Sequence, residues 1–282
     1  MGFHKALAVA LGLAVVAGAG GVQAQTTPVA QGRPVVIGQS YALESKILGE
    51  TRRFNVRLPA GYDAAKGTYR VLYLLDGGER EDFPHIAGLM QLCGLVGTCE
   101  EMIVVGIEGT DRRRDMTYPS KDPEDLKMAP TSGGSERFRR FIAEELQPLV
   151  TARYGAGKST LMGESLAGLF VVETFLRTPG LFDDYIAISP SVWWDRNSLT
   201  DGASALLAAQ PAGERRLYLT IADEGREMQT GVDDLVAALK AKTPAGLTWT
   251  YAPMSGETHA TIYHPAALAA FRKLYAPPPE AK

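Results

Sequence analysis

Hydrophobic and polar residues follow two patterns along the chain, and each pattern predicts a different kind of strand. Val35–Lys46 and Thr51–Leu58 are rich in β-forming residues and are separated by Leu48-Gly49-Glu50, which predicts an antiparallel hairpin. Farther on, short runs are apolar on both faces, as in strands covered by helices on two sides. These runs are Tyr69–Leu75, Glu101–Ile107, Ser159–Met162, Tyr185–Ile188, Leu217–Ala222 and Leu247–Tyr251.

Segments with helical periodicity lie between these runs. They are Ser135–Arg153, Leu166–Arg177, Gly231–Ala241 and Pro265–Tyr275. Strands that alternate with helices after an opening hairpin predict an α/β fold with a mostly parallel central sheet and helices on both faces. In such sheets ligands bind beyond the carboxyl ends of the strands, so candidate catalytic residues are expected there.

The first residues have the pattern of a secretory signal. His4 and Lys5 precede an apolar run, and small residues lead to Val22-Gln23-Ala24 before the chain becomes polar. The run is short for a membrane span and rich in Ala and Gly. We therefore expect a signal peptide over residues 1–24, cleavage after Ala24, and a periplasmic or secreted protein with no stable membrane association.

The remaining chain reads as one domain with short ends. We expect a flexible tether over residues 25–34, a single domain over residues 35–276 and a tail over residues 277–282. Cys93 and Cys99 lie close together, and in an oxidising compartment they either form a small disulfide loop or remain free buried thiols. His85 alone does not complete a metal site with them.

Composition and charge exclude some functions. With 45% hydrophobic and 22% charged residues the chain can bury a sizeable core. The net charge is -3 and the pI is about 5.9, so no basic field is available to hold a nucleic acid or an anionic membrane. We expect a small-molecule ligand and no nucleic-acid partner.

One stretch, Tyr154–Gly168, resembles two different catalytic motifs. Gly157-Lys158-Ser159 looks like the end of a phosphate-binding loop, but the expected first glycine is Ala152, and the order is helix, loop, strand, the reverse of what such a loop requires. Gly163-Glu164-Ser165-Leu166-Ala167-Gly168 instead fits a nucleophile elbow, a tight strand-to-helix turn that exposes a serine. Ser165 is therefore the candidate nucleophile, although the strict motif has glycine at position 167.

A serine needs a base and an acid, which follow it in the chain in this class of enzyme. His259 lies in a loop after the last predicted strand and is the candidate base, whereas His264 begins a helix and reads as a capping or surface residue. The candidate acid follows Leu217–Ala222, where Asp223, Glu224 and Glu227 are all possible.

The oxyanion of the tetrahedral intermediate needs two backbone N–H groups. The residue after the nucleophile, Leu166, supplies one. Gly78, in the turn after the first apolar strand, is the candidate for the other, because glycine allows its N–H to face the site.

The chain resembles the esterase branch of the α/β hydrolases that includes enterochelin and other siderophore esterases, esterase D and the mycolyltransferases. The resemblance covers nearly all of residues 38–276. The stretches that match the family are VLYLLDGG, EMIVVGI, TDRRRDMTYPS, FRRFIAEELQPLVTARY, LMGESLAGLFVVETFLRTPGLFDDYIAISPSVWWD and GETHATIYHPAALAAF.

This resemblance implies roles for particular residues. The nucleophile falls on Ser165 and the base on His259, and the strand exit Ala222-Asp223-Glu224 favours Glu224 as the acid. The chain departs from the family at Glu164, where His is usual, and at Ala167, where Gly is usual. The negative charge of Glu164 next to the nucleophile can raise the pKa of the base, unless its side chain points outward.

The candidate substrate-binding residues are Arg112, Arg113 and Trp193. Arg112 and Arg113 follow a strand and can bind an anionic siderophore, or they belong to a solvated loop in which one arginine pairs with Asp111 or Asp115. Trp193 can wall an acyl group or belong to the core. We expect a secreted serine carboxylesterase without a cofactor, with a siderophore ester as the candidate substrate. The alternatives are a feruloyl or acetyl esterase, an acyltransferase, and a non-catalytic binding module.

Overall fold

The computed structural model describes residues 32–277, and from Val36 onward this chain forms one compact unit. The predicted signal peptide, most of the tether and residues 278–282 of the tail lie outside the described residues. The eight strands are β1 Gln39–Ser45, β2 Glu50–Arg57, β3 Tyr69–Leu74, β4 Ile103–Ile107, β5 Ala156–Glu164, β6 Asp184–Ile188, β7 Arg215–Thr220 and β8 Leu247–Tyr251.

All eight strands form one sheet in the order β1-β2-β4-β3-β5-β6-β7-β8. β1 pairs with β2, and β2 with β4, in antiparallel register, while every other pair is parallel. The predicted hairpin followed by a mostly parallel sheet is therefore confirmed. Because the parallel strands share a direction, the carboxyl ends of β3, β5, β6, β7 and β8 meet at one edge.

Helices cover both faces of the sheet. They are α1 Phe83–Val96, α2 Arg112–Asp115, α3 Pro123–Met128, α4 Ser135–Phe141, α5 Gln147–Tyr154, α6 Leu166–Arg177, α7 Ser198–Asp201, α8 Ala203–Ala208, α9 Gly225–Ala241 and α10 Tyr263–Tyr275, with a π-helical segment Ile142–Leu146 between α4 and α5. α6 and α9 pack with one large core cluster, whereas α1 and α10 pack with a second cluster on the other face. Both faces of the parallel strands are thus buried, which explains their continuous apolar sequence.

Several elements differ from the sequence prediction. α1 was not predicted, because Phe83–Val96 contains Pro84, Gly88 and Gly94, which weaken a helical pattern. α9 begins at Gly225 rather than Gly231, so Glu227 lies in its first turn and not in a loop. The single segment predicted over residues 135–153 is divided by the π-helical segment.

Cys93 of α1 and Cys99 are joined in a disulfide. Of the two states that the sequence allowed, the structure contains the bonded one. The bond connects the end of α1 to the segment that leads into β4, and both cysteines are buried in the α1–α10 core cluster.

Candidate active site

Ser165 occupies a strained turn between β5 and α6. Its backbone has φ 62° and ψ −121°, in the region of positive φ that residues other than glycine rarely adopt. Hydrogen bonds hold the turn: Ser165 N–H donates to the carbonyl oxygen of Ile188 at 3.0 Å, and its carbonyl oxygen accepts from Ser191 N–H at 3.0 Å. The turn thus has the geometry of a nucleophile elbow, which presents the hydroxyl at the end of the sheet.

Close packing around this turn explains the local sequence. A Cβ on Gly163 would lie 2.8 Å from the backbone carbon of Ala167, and a Cβ on Gly168 would lie 2.8 Å from the carbonyl oxygen of Ile188. Ala167 itself is fully buried and its methyl group is accommodated. Gly168 therefore provides the close approach to β6, and alanine at position 167 is compatible with the elbow.

His259 and Glu224 are brought together from two different loops. His259 Nδ1 lies 2.9 Å from Glu224 Oε2. The other oxygen of this carboxylate accepts hydrogen bonds from the Ser189 hydroxyl and, at 3.3 Å, from Ala222 N–H. The Glu224 side chain is only 3% exposed, so its orientation is fixed by these partners. A carboxylate held in this way can select the imidazole tautomer that leaves Nε2 free to accept a proton.

The other two acidic candidates do not contact the imidazole. Asp223 is exposed, and its backbone N–H donates to the carbonyl oxygen of Glu257 at 3.0 Å. Glu227 is also exposed and lines a neighbouring groove. Geometry therefore favours Glu224 among the three.

Ser165 and His259 face the same pocket without a hydrogen bond between them. The pocket has a volume of about 330 Å³. Its walls are Ser165, Ser191, Trp193, Asp223, Glu224, Met228 and His259. Ser165 Oγ lies 3.4 Å from Ser191 Oγ, while His259 Nε2 lies 3.7 Å from Glu164 Oε1. Catalytic hydrogen bonds are often long or unformed without substrate and tighten when it binds.

Glu164 points into the site rather than outward. Burial raises the pKa of its carboxyl group, and the nearby positive charges of His259 and Arg112 oppose this change. The carboxylate lies on the Nε2 side of the imidazole, and Glu224 lies on the Nδ1 side. The residue that departs from the family pattern is thus in contact with the candidate base.

The two candidate oxyanion donors differ in their surroundings. Leu166 is the first residue of α6, so its N–H has no acceptor within the helix and is available to a ligand. Gly78 N–H donates to Glu81 Oε2 at 2.7 Å. The Gly78 loop lies beside the elbow, because the Arg112 guanidinium binds the Asp76 carboxylate at 2.8 Å and the carbonyl oxygen of Glu164 at 3.1 Å.

The three residues predicted to bind substrate have different environments. Trp193 lines the pocket, whereas its neighbour Trp194 is fully buried and donates from Nε1 to the carbonyl oxygen of Tyr118 at 2.8 Å. Arg112 is bound to Asp76, and Arg113 donates to the carbonyl oxygen of Met128 at 2.5 Å. Neither arginine is among the residues that line the pocket at Ser165. The pairing that the sequence allowed within this run of arginines is present between Arg114 and Asp115 at 2.7 Å, whereas Arg112 pairs with the more distant Asp76.

A larger groove of about 690 Å³ adjoins this pocket. The two cavities share Trp193, Glu224 and Met228. Beyond Trp193 the wall continues through Arg196 and Asn197, which together with Asp195 form a turn of three consecutive residues with positive φ. Asp125 of α3 fixes this turn by accepting a hydrogen bond from Asp195 N–H at 2.8 Å.

Ser189, Ser191 and Met228 were not among the site residues predicted from the sequence. Ser189 and Ser191 follow β6, whose carboxyl end lies next to that of β5, so their position on the sheet edge was a usable signal. Met228 lies in the first turn of α9 and had no signal, because the start of that helix was not predicted. Within residues 32–277 no three histidine, cysteine or acidic side chains are placed to hold a metal ion together, and none of the helices has both the length and the apolar character of a membrane span.

An elbow serine on a mostly parallel sheet, with a histidine and an acid after later strands, is the arrangement of the α/β hydrolases. Residues 45–260 match the model of the esterase family described as "Putative esterase". The chain belongs to this family, and it is an esterase of the α/β-hydrolase fold. The fold class, the family resemblance and the enzyme class expected from the sequence are confirmed.

Named relatives include siderophore esterases. The chain is 30% identical to the ferri-bacillibactin esterase BesA of Bacillus subtilis (strain 168) over 72% of this chain and 75% of that protein. It is 35% identical to the siderophore triacetylfusarinine C esterase of Aspergillus fumigatus over 64% of this chain and 63% of that protein. Among solved structures, an IroE-like serine hydrolase from Shewanella oneidensis superposes with a TM-score of 0.76 at 28% identity, covering 84% of this chain and 80% of that one.

Proposed function

We propose that this protein is a secreted or periplasmic serine esterase that hydrolyses an ester bond of a siderophore. The observation that carries the proposal is the 2.9 Å contact between His259 and the buried Glu224 in the pocket that also contains Ser165. Relatives named as siderophore esterases support the substrate class. The signal-like pattern of residues 1–24 and the Cys93–Cys99 disulfide support an oxidising compartment.

In the proposed mechanism His259 acts as the base and Glu224 orients it. His259 Nε2 accepts the proton of Ser165 Oγ while this oxygen attacks the ester carbonyl carbon. His259 then gives the proton to the leaving alkoxide, and an acyl-enzyme forms. Water, deprotonated by the same imidazole, attacks the acyl-enzyme and releases the acid and free Ser165.

Three local movements precede this chemistry. The Ser165 hydroxyl turns from Ser191 towards His259, and the imidazole Nε2 turns from Glu164 towards Ser165. The developing oxyanion accepts hydrogen bonds from Leu166 N–H and Gly78 N–H, so the Glu81 carboxylate must release Gly78. These are rotations of side chains, which fit a site that becomes complete only with its substrate.

Labelling by a fluorophosphonate probe tests whether the site is catalytic. The wild-type protein is expected to label, and the Ser165→Ala variant is not. Equal labelling of the two proteins would contradict the proposed nucleophile and leave the protein as a binding module on a hydrolase fold.

A substrate panel tests the siderophore assignment. Ferri-bacillibactin, enterobactin and triacetylfusarinine C are compared with methyl ferulate and p-nitrophenyl acetate, with Ser165→Ala as the blank. Higher kcat/KM for a siderophore ester than for methyl ferulate supports the proposal, whereas the reverse order would assign the protein to the feruloyl or acetyl esterases. Sequencing the amino terminus of protein recovered from the periplasm or medium tests cleavage after Ala24.

A further inference from the structure

The cavity that a bulky substrate must enter is lined mainly by apolar and acidic side chains. Ser165 lies in the smaller pocket, and the larger groove is its continuation past Trp193 and Met228. The two apolar side chains therefore stand where both cavities meet. The pocket at Ser165 and the adjoining groove together are called the combined cavity. Apart from Glu224, the acidic residues that line it are Asp122, Glu124, Asp125, Asp223 and Glu227.

Few positive charges compensate these carboxylates. Arg196 pairs with Asp122 at 2.7 Å and is the one lysine or arginine that lines the combined cavity. Lys127 lies 2.7 Å from Glu124, but both side chains are more than 70% exposed, and such pairs are weak. Within residues 32–277, Asp223 and Glu227 form no ion pair.

The arginines near the elbow do not reverse this balance. Arg112 is bound by Asp76, and burial together with the negative charges of Asp76, Glu164 and Glu81 raises the pKa of the nearby Asp82 carboxyl group. Arg113 is exposed and touches the rim of the groove through the carbonyl oxygen of Met128. Arg113 forms no ion pair among the described residues and contacts the rim only through this carbonyl oxygen, whereas several carboxylates line the walls, so negative charge predominates in the cavity.

We infer that this site selects siderophore esters that carry no net negative charge and discriminates against triply anionic ferric tris-catecholates. The inference rests on the proposed siderophore esterase function and specifies its substrate class. Three singly charged hydroxamates neutralise Fe(III), whereas three doubly charged catecholates leave three negative charges on the complex. Each of those charges is repelled by the groove carboxylates, while an uncharged substrate gains contact with Trp193 and Met228 without that cost.

Two cyclic triesters that both carry Fe(III) but differ in net charge test the effect of charge. Ferric triacetylfusarinine C is an uncharged trihydroxamate, and ferric enterobactin is a triply anionic tris-catecholate. We expect kcat/KM to be at least about tenfold higher for ferric triacetylfusarinine C than for ferric enterobactin. This difference should become smaller as the sodium chloride concentration is raised, because salt screens the repulsion. Iron-free enterobactin, which has the same ester bonds as its ferric form and no such charge, is expected to be cleaved faster than ferric enterobactin.

The outcomes distinguish the two levels of the proposal. Equal or faster cleavage of ferric enterobactin would overturn the charge selection while leaving a siderophore esterase. Cleavage of none of the three, by protein that still reacts with the fluorophosphonate probe, would overturn the siderophore assignment itself.

Variants of one helix provide a matched pair. Glu227→Gln removes a groove carboxylate in the first turn of α9, and Asp234→Asn removes the same charge two turns farther along that helix. We expect Glu227→Gln to raise kcat/KM for ferric enterobactin relative to ferric triacetylfusarinine C, and Asp234→Asn to leave the ratio unchanged. An equal effect of both variants would show that the groove carboxylate has no specific role.

Discussion

Glu164 and Glu224 lie on opposite sides of one imidazole: Glu164 Oε1 is 3.7 Å from His259 Nε2, and Glu224 Oε2 is 2.9 Å from His259 Nδ1. The two carboxylates have different supports. Glu224 is held by Ser189 and Ala222, whereas Glu164 belongs to the strand that ends at the nucleophile. This asymmetry predicts that the two acids contribute unequally to catalysis.

Replacing each carboxylate by an amide tests that difference. Glu224→Gln is expected to lower kcat by about 10²- to 10⁴-fold, because an amide at Nδ1 can favour the wrong imidazole tautomer and does not stabilise the imidazolium. Glu164→Gln is expected to change kcat by less than about tenfold, because Glu164 is not expected to transfer the proton, and loss of an acid–base group typically costs more than that. Rates with p-nitrophenyl acetate measure both, and a greater loss in Glu164→Gln would exchange the two roles.

The two late histidines give a second test. His259→Ala is expected to lower ester hydrolysis by about 10³-fold or more, because the serine loses its base. His264→Ala should retain most activity, since His264 Nδ1 lies 2.7 Å from His85 Nε2 and outside the pocket at Ser165. Circular dichroism confirms that each variant is folded. Loss of activity in His264→Ala but not in His259→Ala would show that His259 is not the base.

Close packing at the elbow predicts a stability difference between two glycines. Gly168→Ala is expected to lower the free energy of unfolding by about 1–3 kcal/mol, because the new methyl group meets the backbone of Ile188 and Pro190. At Gly180 a Cβ would meet nothing within 4 Å, so Gly180→Ala should stay within about 0.5 kcal/mol of wild type. Urea unfolding measures both, and equal stability of the two variants would contradict the tight packing.

Asp82 predicts a dependence of stability on pH. Burial, helped by the negative charges of Asp76 and Glu164, raises the pKa of Asp82 from 3.8 to about 7. Between these values the folded state binds more protons than the unfolded state, so the contribution of Asp82 to stability is present below pH 3.8 and is lost as the pH rises through 7. Asp82→Asn removes this loss.

The melting temperature of Asp82→Asn should therefore exceed that of wild type by more at pH 8 than at pH 5. Thermal unfolding at the two pH values measures the difference. A constant offset between the proteins would mean that Asp82 has an ordinary pKa in the folded state.

The elements that could be predicted are those whose burial or close packing requires particular residue types at neighbouring positions in the sequence. The parallel strands are apolar at nearly every position because both faces are buried, and the elbow needs small residues at Gly163 and Gly168. α1 is the counterexample, since its glycines and Pro84 obscure a helix that the core nonetheless stabilises.

Contacts between distant residues could not be predicted in the same way. The serine and histidine candidates follow from chain order and motif, but the choice among Asp223, Glu224 and Glu227 depended on family resemblance. Only the folded arrangement brings Ser189 to the Glu224 carboxylate, 35 residues along the chain. Similarly, the partner of Arg112 is Asp76, which is distant in sequence and adjacent on the sheet edge.

The turn at Asp195–Asn197 belongs to a different part of the chain from the proposed catalytic residues. Ser165, Glu224 and His259 follow β5, β7 and β8, whereas the turn after Trp193 is held to α3 by the hydrogen bond from Asp195 N–H to Asp125. Substitutions in residues 121–128 and 193–197 can therefore reshape the substrate cavity without displacing the strand ends. Such a division allows related chains to acquire new ester preferences by exchanging two short segments while inheriting the same reactive centre.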